Sequence, residues 1–524
     1  MPEKPNFVIV MTDQQRADLM SLYGFPLATT PALEDMATQG TCFQHAYTPM
    51  PVCIPARISL LTGRFPRAHG IRCNHLRHLD EARFKDDLLR VFKRFGYFTA
   101  LTGKNHTYIN PAKEMDCAIE FSHLVGHIRP EHRAEDEAFD RWMADLFFGV
   151  AEAPTPFPAA LQYPVRIVDH TIEVLEKRAT EPFFAWVSFP EPHNPYQVSE
   201  PYFDLFPPDS LPDRACGAEV LAAKGFPWDW LGQLIEHCHP GYDLRWRRLR
   251  SNYCGMLRLI DDQVRRLIEY LDTSGLSNRT HLVFLSDHGD FVGDYGLMRK
   301  GVGLSECLIR VPLVWRGPGV RPGARQDDFV SLTDVFPTVC DVLDVDLPEG
   351  VQGRSLWPML VGEAYPKGEF ESIYAEYGFG GLPWREAGED GFTWDETVIT
   401  RPETFLMKPD MSDYRPAARI MDRHTGADAS HKTFDELNSI TLSGSVKMVR
   451  KGDWKLVHSF MGDLELYNLG GDPFELCNLV DQERFRNKRE ELELELLQWL
   501  VRTEDQLPFD RYRMKRLPGN YMKS

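Results

Sequence analysis

The sequence has no long apolar run and no concentration of positive charge, and these two absences exclude several classes of protein. No uninterrupted apolar stretch approaches the ~18–20 residues that a membrane-spanning helix needs. The 59 Lys and Arg residues are outnumbered by 77 Asp and Glu, so the formal net charge is −18. Broad binding to phosphate backbones needs clustered Lys and Arg, which argues against a nucleic-acid-binding protein. A small anionic substrate is still compatible, because one pocket can be positive in an acidic protein.

The ten cysteines also lack a pattern, since they are scattered without a Cys-x-x-Cys pair or a regular frame. The first residues lead directly into a short apolar run and lack the longer apolar region and small-residue cleavage site of a secretory signal. Disulfides are rare in the reducing cytosol, so scattered cysteines in a long chain without such a signal favour free thiols. We therefore expect a cytoplasmic protein that does not enter a membrane.

The length and the change of texture along the chain predict two domains. At roughly 150 residues per domain, 524 residues correspond to about two to four structural units. Near residue 370 the pattern changes, and short alternating runs at 445–450, 454–458 and 464–467 read as antiparallel strands, followed by a Glu/Leu-rich helix over about 482–503. We predict an α/β domain over residues 1–375 and a smaller C-terminal subdomain over 376–524, with an antiparallel sheet, a helix and a polar tail.

Four apolar runs in the first domain each end in chemically capable side chains. The runs are residues 7–11, 97–101, 183–189 and 281–286, and the side chains that follow them are Asp13, Lys104 and His106, His193, and Asp287 and His288. Runs that are apolar on both faces are typical of buried parallel strands, and an amphipathic helix pattern lies between them at 257–271. This alternation predicts a mostly parallel sheet flanked by helices. Ligands bind outside the carboxyl ends of such strands, so we expect these side chains to form one site.

A cysteine motif supplies a second signal, the sequence Cys-Ile-Pro-Ala-Arg at residues 53–57. Its plainest interpretation is a small buried cysteine near a helix start, with Pro55 in the first turn. However, unpaired N–H groups and the positive end of the helix dipole favour an anion beside a residue in this position. Arg57, one turn further on, is suited to hold that anion or the charge of a nucleophile at Cys53.

This motif, followed by Leu-Leu-Thr-Gly-Arg at residues 60–64, resembles the signature of type I sulfatases, the formylglycine-dependent members of the alkaline-phosphatase superfamily. The resemblance covers most of the chain. Residues 6–13 are similar to the family's first metal strand, 102–106 to its Gly-Lys-x-His segment, 286–289 to its second metal segment, and 454–456 with 466–473 to its C-terminal sheet. The resemblance implies an alkaline-phosphatase-like fold and the arylsulfatase, choline-sulfatase or phosphonate monoester hydrolase branch.

The expected metal ligands are Asp13, Asp287, His288 and, once oxidised, residue 53. Carboxylates at neighbouring strand ends suit a hard divalent cation, and one imidazole moves the preference from Ca²⁺ toward Mn²⁺, so both ions stay open. Many relatives carry two consecutive carboxylates at the first strand and Asp-Asn at the second. Gln14 therefore stands where a ligand is common, and we expect it to be a weaker ligand or none.

The resemblance also implies a mechanism, in which a dedicated formylglycine-generating enzyme oxidises Cys53 and the hydrated aldehyde attacks the sulfur of a sulfate ester. Sulfate leaves when the second hydroxyl loses its proton, for which His106 is the candidate base. Lys104 and Lys300 spread positive charge over the sulfate, while His193 or Lys300 assists the leaving oxygen. The expected catalytic residues are Cys53, Arg57, Lys104, His106, His193 and Lys300, and the expected substrate-binding residues are Asn74, Lys104, His193 and Lys300.

The predicted activity is hydrolysis of sulfate monoesters with an aryl or small alkyl group. The alternatives are a phosphonate monoester or phosphodiester hydrolase on the same scaffold, promiscuity between the two, a non-catalytic metal-binding protein, and a metal-free thiolate hydrolase. Aromatic residues in the polar tail favour a homo-oligomer, a dimer or tetramer. His123, His127 and His132 lie in a polar stretch typical of the surface, with a place in the substrate pocket as the alternative.

Overall fold

The computed structural model describes residues 4–74, 84, 86–146, 149–178, 180–378, 444–459 and 463–504. The polar tail and most of the segment between residues 379 and 443 lie outside these ranges. Within them, no helix is both long enough and apolar enough to cross a bilayer.

A nine-stranded, mostly parallel sheet forms the centre of the molecule. Its strands are β1 (Asn6–Asp13), β2 (Thr41–Tyr47), β3 (Phe98–Gly103), β4 (Cys117–Glu120), β5 (Phe183–Pro192), β6 (Thr280–Ser286), β7 (Arg310–Val311), β8 (Leu313–Arg316) and β9 (Ala324–Ser331). The strand order is β4-β3-β5-β1-β6-β8-β2-β7, with β9 paired to β2. β4, β3, β5, β1 and β6 are parallel to one another, so the mostly parallel sheet predicted from the four apolar runs is confirmed.

Helices cover both faces of this sheet. They are α1 (Pro31–Thr38), α2 (Cys53–Thr62), α3 (Pro66–His69), α4 (Leu88–Arg94), α5 (Pro111–Glu114), α6 (Arg133–Leu146), α7 (Tyr163–Arg178), α8 (Tyr202–Leu205), α9 (Leu221–Lys224), α10 (Phe226–Cys238), α11 (Trp246–Thr273), α12 (Glu306–Ile309), α13 (Val335–Val342) and α14 (Trp357–Val361). Alternate side chains of β1 enter opposite cores, because Phe7 and Ile9 pack with α2, α4 and α13, whereas Val8 and Val10 pack with α7 and α11. Burial on both faces explains why the central strands are apolar throughout.

A separate four-stranded antiparallel sheet lies in the C-terminal region, as the alternating runs predict. It consists of β10 (Ser372–Tyr377), β11 (Val446–Lys451), β12 (Trp454–Ser459) and β13 (Leu464–Asn468), and α15 (Arg486–Thr503) packs on it. β11 and β12 are joined at Gly452, whose φ of 58° is a left-handed conformation that glycine adopts at little cost. This sheet also touches the first domain, since Tyr374 of β10 packs against Phe65.

Candidate active site

The carboxyl ends of four neighbouring strands bring the predicted side chains to one edge of the sheet. β3, β5, β1 and β6 are adjacent in that order. Asp13 ends β1, Lys104 follows β3, His193 follows β5 and Asp287 follows β6. Lys104 sits at a close approach between strands, because a Cβ at the preceding Gly103 would lie 1.9 Å from the Ser188 carbonyl oxygen. The sheet thus supplies the frame of a single buried site.

Cys53 reaches this edge from α2, of which it is the first residue. Its Sγ lies 3.6 Å from Asp13 Oδ1 and 3.2 Å from His288 Nε2. Asn74 fixes the helix start, because its Oδ1 accepts from the Ile54 N–H at 3.0 Å while its Nδ2 lies 3.7 Å from the sulfur. The predicted helix N-terminus and the predicted place of Asn74 beside residue 53 are therefore both present.

Asp13, Cys53, Asp287 and His288 form a buried set whose ligand atoms all lie within 4.8 Å of one another. Nδ1 of His288 lies 2.8 Å from the Gly289 carbonyl oxygen. Because a carbonyl only accepts, Nδ1 carries the proton and the lone pair of Nε2 faces the set, which is the tautomer a metal ligand needs. Two carboxylates, one imidazole and the atom at position 53 fit a divalent cation of the Ca²⁺ or Mn²⁺ kind.

Arg57 lies behind these ligands and is completely buried. Its Nε donates to Asp287 Oδ2 at 2.9 Å, and its NH2 group donates to Asp13 Oδ2 at 3.2 Å. The remaining NH1 group donates to Ser188 Oγ at 2.9 Å and to the Lys104 carbonyl at 3.1 Å. The guanidinium thus orients both carboxylates, and its contact with the substrate anion, which the sequence suggests, stays a prediction.

Burial and charge set the protonation of Asp13 and Cys53. Burial alone raises the pKa of Asp13, but Lys104 and other neighbouring cations hold that pKa well below its ordinary value, so Asp13 is a carboxylate. Burial, together with the charge of Asp13, raises the pKa of the Cys53 thiol to about 12. A thiolate is therefore disfavoured at position 53, although His288 is close enough to pair with the sulfur.

Two lysine side chains, Lys104 and Lys300, also reach this site. Lys104 Nζ contacts Asp13 Oδ2 and lies 2.5 Å from His123 Nε2. Lys300 Nζ donates to Gln14 Oε1 at 2.9 Å and lies 3.4 Å from His193 Nε2. Asp13, His123 and His193 form a second set with metal-ligand spacing. Since Lys104 Nζ already lies between Asp13 and His123, the first set is the better candidate for a divalent ion.

The side-chain amide of Gln14 bridges two charged groups. Its Nε2 donates to Asp290 Oδ2 at 2.5 Å while its Oε1 accepts from Lys300. A φ of 73° turns its backbone N–H toward Asp287 Oδ1, at 3.0 Å. The amide thus holds Lys300 in place, and the expectation that Gln14 is a weak ligand or none stays a prediction. Its partners lie far away in the sequence, and no local signal reveals them.

The expectation that His123 is a surface residue is wrong. His123 is half-buried, and its ring stacks on that of His193 with the centroids 3.6 Å apart. The ring of His106 approaches it edge-on at 5.6 Å. His123 follows β4, a strand of only four residues, so no apolar run marks the strand end that carries it. The surface assignment holds for His132, whereas His127 packs edge-on against His170.

The imidazoles of His106 and His193 are neutral. Burial, together with the charge of Lys104, lowers the pKa of His106 well below its ordinary value. Burial and the neighbouring His123 do the same to the pKa of His193. Nδ1 of His193 lies 2.7 Å from the Asn194 carbonyl oxygen, so Nδ1 carries the proton and Nε2 faces Lys300. Each ring therefore carries one unprotonated nitrogen within the site.

In both sequence and fold, the chain is similar to known ester hydrolases. A family model described as Sulfatase matches residues 5–345. An arylsulfatase of Clostridium perfringens is 28% identical over 443 residues, which cover 77% of this chain and 85% of that protein. A choline-sulfatase of Rhizobium meliloti is 25% identical over 499 residues, 92% of this chain and 83% of that protein.

Among solved structures, the phosphonate monoester hydrolase of Agrobacterium radiobacter superposes with a TM-score of 0.75 at 22% identity, covering 98% of this chain and 100% of that one. This likeness establishes the shared fold. Because the family model spans well over half of the sequence, the chain belongs to the sulfatase family. It is a sulfuric ester hydrolase, as the sequence motifs predict.

Proposed function

We propose that this enzyme hydrolyses sulfate monoesters of aryl or small alkyl alcohols, with residue 53 as formylglycine and a divalent ion held by Asp13, residue 53, Asp287 and His288. One observation carries the proposal. The atom at position 53 lies within 3.6 Å of Asp13 and 3.2 Å of His288, at the start of a buried helix and beside two lysines. The proposed nucleophile, the candidate cation site and the two lysines proposed to bind the anion are thus close together.

Two groups supply chemistry that the unmodified side chains lack. A divalent ion at the ligand set would make a bound hydroxyl more acidic and would draw charge from a sulfate oxygen. Formylglycine, hydrated to a geminal diol, would replace a thiol whose raised pKa makes it a poor nucleophile. The residues fit both groups, since residue 53 is at the helix N-terminus and within reach of the ligands.

The chain's own residues bind and orient the sulfate. The ammonium groups of Lys104 and Lys300 place positive charge on the side of the site where sulfate oxygens would lie, and this charge stabilises the transition state. Lys300 holds a proton at Nζ, 3.4 Å from the lone pair of His193 Nε2, so Lys300 is placed to protonate the leaving oxygen and His193 to orient its ammonium group. His106 is the proposed base for the second hydroxyl at residue 53.

A phosphonate monoesterase activity is the second candidate. A phosphonate monoester and a sulfate monoester carry the same single negative charge, so two lysines do not separate them by charge. The shared fold with a phosphonate monoester hydrolase supports this alternative. We propose that sulfate esters are preferred and that phosphonate turnover is a side activity.

The deciding experiment compares 4-nitrophenyl sulfate with 4-nitrophenyl phenylphosphonate, on protein co-expressed with a formylglycine-generating enzyme. We expect a higher kcat/KM for the sulfate, and a large preference for the phosphonate would overturn the first choice. Intact mass should show the loss that accompanies conversion of the thiol to an aldehyde. Cys53→Ala and Cys53→Ser are the matched controls. Neither variant can form the aldehyde, and both should be inactive with the fold retained.

The thiolate and non-catalytic alternatives give different results in the same experiment. Activity that persists after chelation, in protein whose Cys53 is fully unoxidised, would favour a thiolate hydrolase. Converted, ion-loaded protein that turns over neither substrate class would favour a metal-binding protein. The ion itself, Ca²⁺ or Mn²⁺, follows from metal analysis of the active protein.

The surroundings of the enzyme are also proposals. Scattered cysteines support a cytoplasmic location, and those whose side chains the structure describes form no disulfide with one another. A homo-oligomer, dimer or tetramer, is proposed from the aromatic residues of the tail. Size-exclusion chromatography with light scattering tests the oligomeric state, and fractionation of the native cells tests the cytoplasmic location.

A further inference from the structure

We propose that His123 is a positioning residue for this reaction, which orients the ring of His193 by stacking and directs the ammonium of Lys104 by accepting its hydrogen bond. The proposal rests on the proposed sulfatase function, because it assigns Lys300, oriented by His193, to the leaving oxygen and Lys104 to the sulfate. His123 stands outside the motifs that carry the family resemblance, yet three of the residues predicted to act touch it.

The stack is the first of these contacts. The rings of His123 and His193 lie 3.6 Å apart between centroids and are inclined by only 22°. His193 is already held at one atom, because its Nδ1–H donates to the Asn194 carbonyl. The parallel ring of His123 then opposes rotation of the imidazole about that bond. Together the two contacts fix the direction in which His193 Nε2 points, and Nε2 is the atom beside Lys300.

The hydrogen bond to Lys104 is the second contact. An ammonium group only donates, so His123 Nε2 accepts, and Lys104 Nζ is shared between this nitrogen and Asp13 Oδ2. Without the imidazole acceptor, the ammonium would rest on Asp13 alone. It would then neutralise an oxygen of a proposed metal ligand and would be less available to the sulfate. His123 thereby keeps Lys104 between the ligand set and the substrate.

The fold places His123 through the sheet. The Phe121 N–H donates to the Gly103 carbonyl at 3.0 Å, which continues the pairing of β4 with β3 past the end of the strand. Gly103 is the residue before Lys104. His123 and Lys104 therefore reach the site from adjacent strand ends, and the edge-on ring of His106 completes the packing around His123.

Two substitutions separate the two contacts. His123→Phe keeps an aromatic ring for the stack but removes the acceptor for Lys104. His123→Gln keeps an acceptor oxygen but removes the ring. His123→Ala removes both. His132→Gln is the control, because His132 is an exposed histidine of the same segment. Each variant is converted with the formylglycine-generating enzyme and assayed with aryl sulfates of graded leaving-group pKa.

For His123→Gln we expect kcat to fall more steeply as the leaving group becomes poorer, by about 10- to 100-fold for the poorest, because a misplaced His193 orients Lys300, the proton donor to the leaving oxygen, less well. For His123→Phe we expect KM to rise about tenfold, by the same factor for every ester. The dependence of kcat on the leaving-group pKa should be unchanged. A purely structural role would change all substrates alike in both variants. That result, or wild-type kinetics in both, would overturn the proposal.

A spectroscopic measurement separates this proposal from the proposed function. In protein labelled at histidine Cε1, the stacked ring shifts the His193 signal, and His193→Gln identifies that signal. The shift should persist in His123→Phe and disappear in His123→Gln, whether or not sulfate esters are turned over. An unchanged His193 signal in His123→Gln would overturn the positioning role even in an active sulfatase. Failure of the wild type on every ester, with the expected shifts present, would instead count against the sulfatase function.

Discussion

Arg57 donates through Nε to Asp287 Oδ2 at 2.9 Å, and neither side chain is exposed to solvent. The same guanidinium reaches Asp13 Oδ2 at 3.2 Å. One buried cation thus ties together the two carboxylates that come from neighbouring strands. The backbone N–H groups of Gln14 and His288 hold the other oxygen of Asp287 at 3.0 and 2.9 Å. The geometry of the candidate ligand set is therefore fixed by the hydrogen-bond donors around its carboxylates.

Arg57→Lys should weaken binding of the divalent ion by about 10- to 100-fold, because a lysine is unable to contact both carboxylates in the same way. Isothermal titration with Mn²⁺ and Ca²⁺ measures this loss. Arg133→Lys, an exchange at an exposed arginine, serves as the control and should bind the ion normally. If Arg57→Lys keeps wild-type ion affinity and loses only turnover, Arg57 acts on the substrate anion, as the sequence motif suggests.

Replacement of His288 by Gln should change which ion the site prefers. The longer amide side chain brings an oxygen close to the position of the imidazole Nε2 that faces the set, and oxygen ligands suit Ca²⁺ better than Mn²⁺. We expect the ratio of the Mn²⁺ and Ca²⁺ affinities to move toward Ca²⁺ by about tenfold. Competition titrations of the two ions provide the measurement. An unchanged ratio would show that His288 is not a ligand.

The strand ends of this site can be predicted from sequence because their strands are buried on both faces. Each apolar run stops where the chain leaves the sheet, so the next polar side chain marks the carboxyl edge, as at Asp13 and Asp287. The same reasoning fails for His123, because β4 has four residues and they are only half-buried or exposed. An apolar signal of that length cannot be distinguished from a loop.

Contacts between distant side chains are the other part that sequence does not reveal. Gln14 and Lys300 are separated by 286 positions in the sequence. Only the folded structure shows that the Gln14 amide oxygen accepts a hydrogen bond from the Lys300 ammonium group. Arg57 presents a related difficulty. Its spacing from Cys53 places it one turn along the helix, but the direction of its side chain, toward Asp13 and Asp287, depends on how α2 packs against the sheet. Residue types could be predicted here, whereas partners could not.

Tyr377 links the small sheet to the segment that carries Lys300, and its loss should lower turnover. Its hydroxyl donates to the Gly301 carbonyl at 2.6 Å. Because one hydrogen bond contributes about 1 kcal/mol, we expect Tyr377→Phe to lower kcat/KM by about 3- to 10-fold through a less well-placed Lys300. Tyr374→Phe is the matched control, since that hydroxyl is on the same strand but contacts Glu376.

The comparison of Tyr377→Phe with Tyr374→Phe requires both activity and stability to be measured. Thermal unfolding of both variants should be close to that of the wild type, so that a loss of turnover in Tyr377→Phe alone points to Lys300. Equal losses in both variants would mean that the small sheet as a whole has been disturbed. No loss in either would show that the Lys300 segment holds its place without the small sheet.

Glu191 should make the stability of the enzyme depend on pH. It belongs to β5, two residues before His193, and is 3% exposed, with no hydrogen-bond partner for either carboxylate oxygen on another described residue. Burial raises the pKa of Glu191 to about 8 from an ordinary value of 4.5. The folded state therefore binds a proton that the unfolded state releases between these two values. The stabilisation that this proton gives to the folded state is fully present below the lower pKa. It is lost as the pH rises through the upper pKa.

Glu191→Gln removes this dependence of stability on pH, since an amide does not ionise in this pH range. As the pH rises from about 5 to about 9, we expect the free energy of unfolding of the variant to increase by about 1–3 kcal/mol relative to the wild type. This increase appears as a widening gap between their melting temperatures in ion-saturated buffer. Glu200→Gln, at an exposed glutamate after the same strand, should keep a constant gap from the wild type. A Glu191→Gln gap that stays constant across this range, or narrows toward pH 9, would mean that Glu191 is already ionised in the folded enzyme at neutral pH, held as a carboxylate by nearby positive charge.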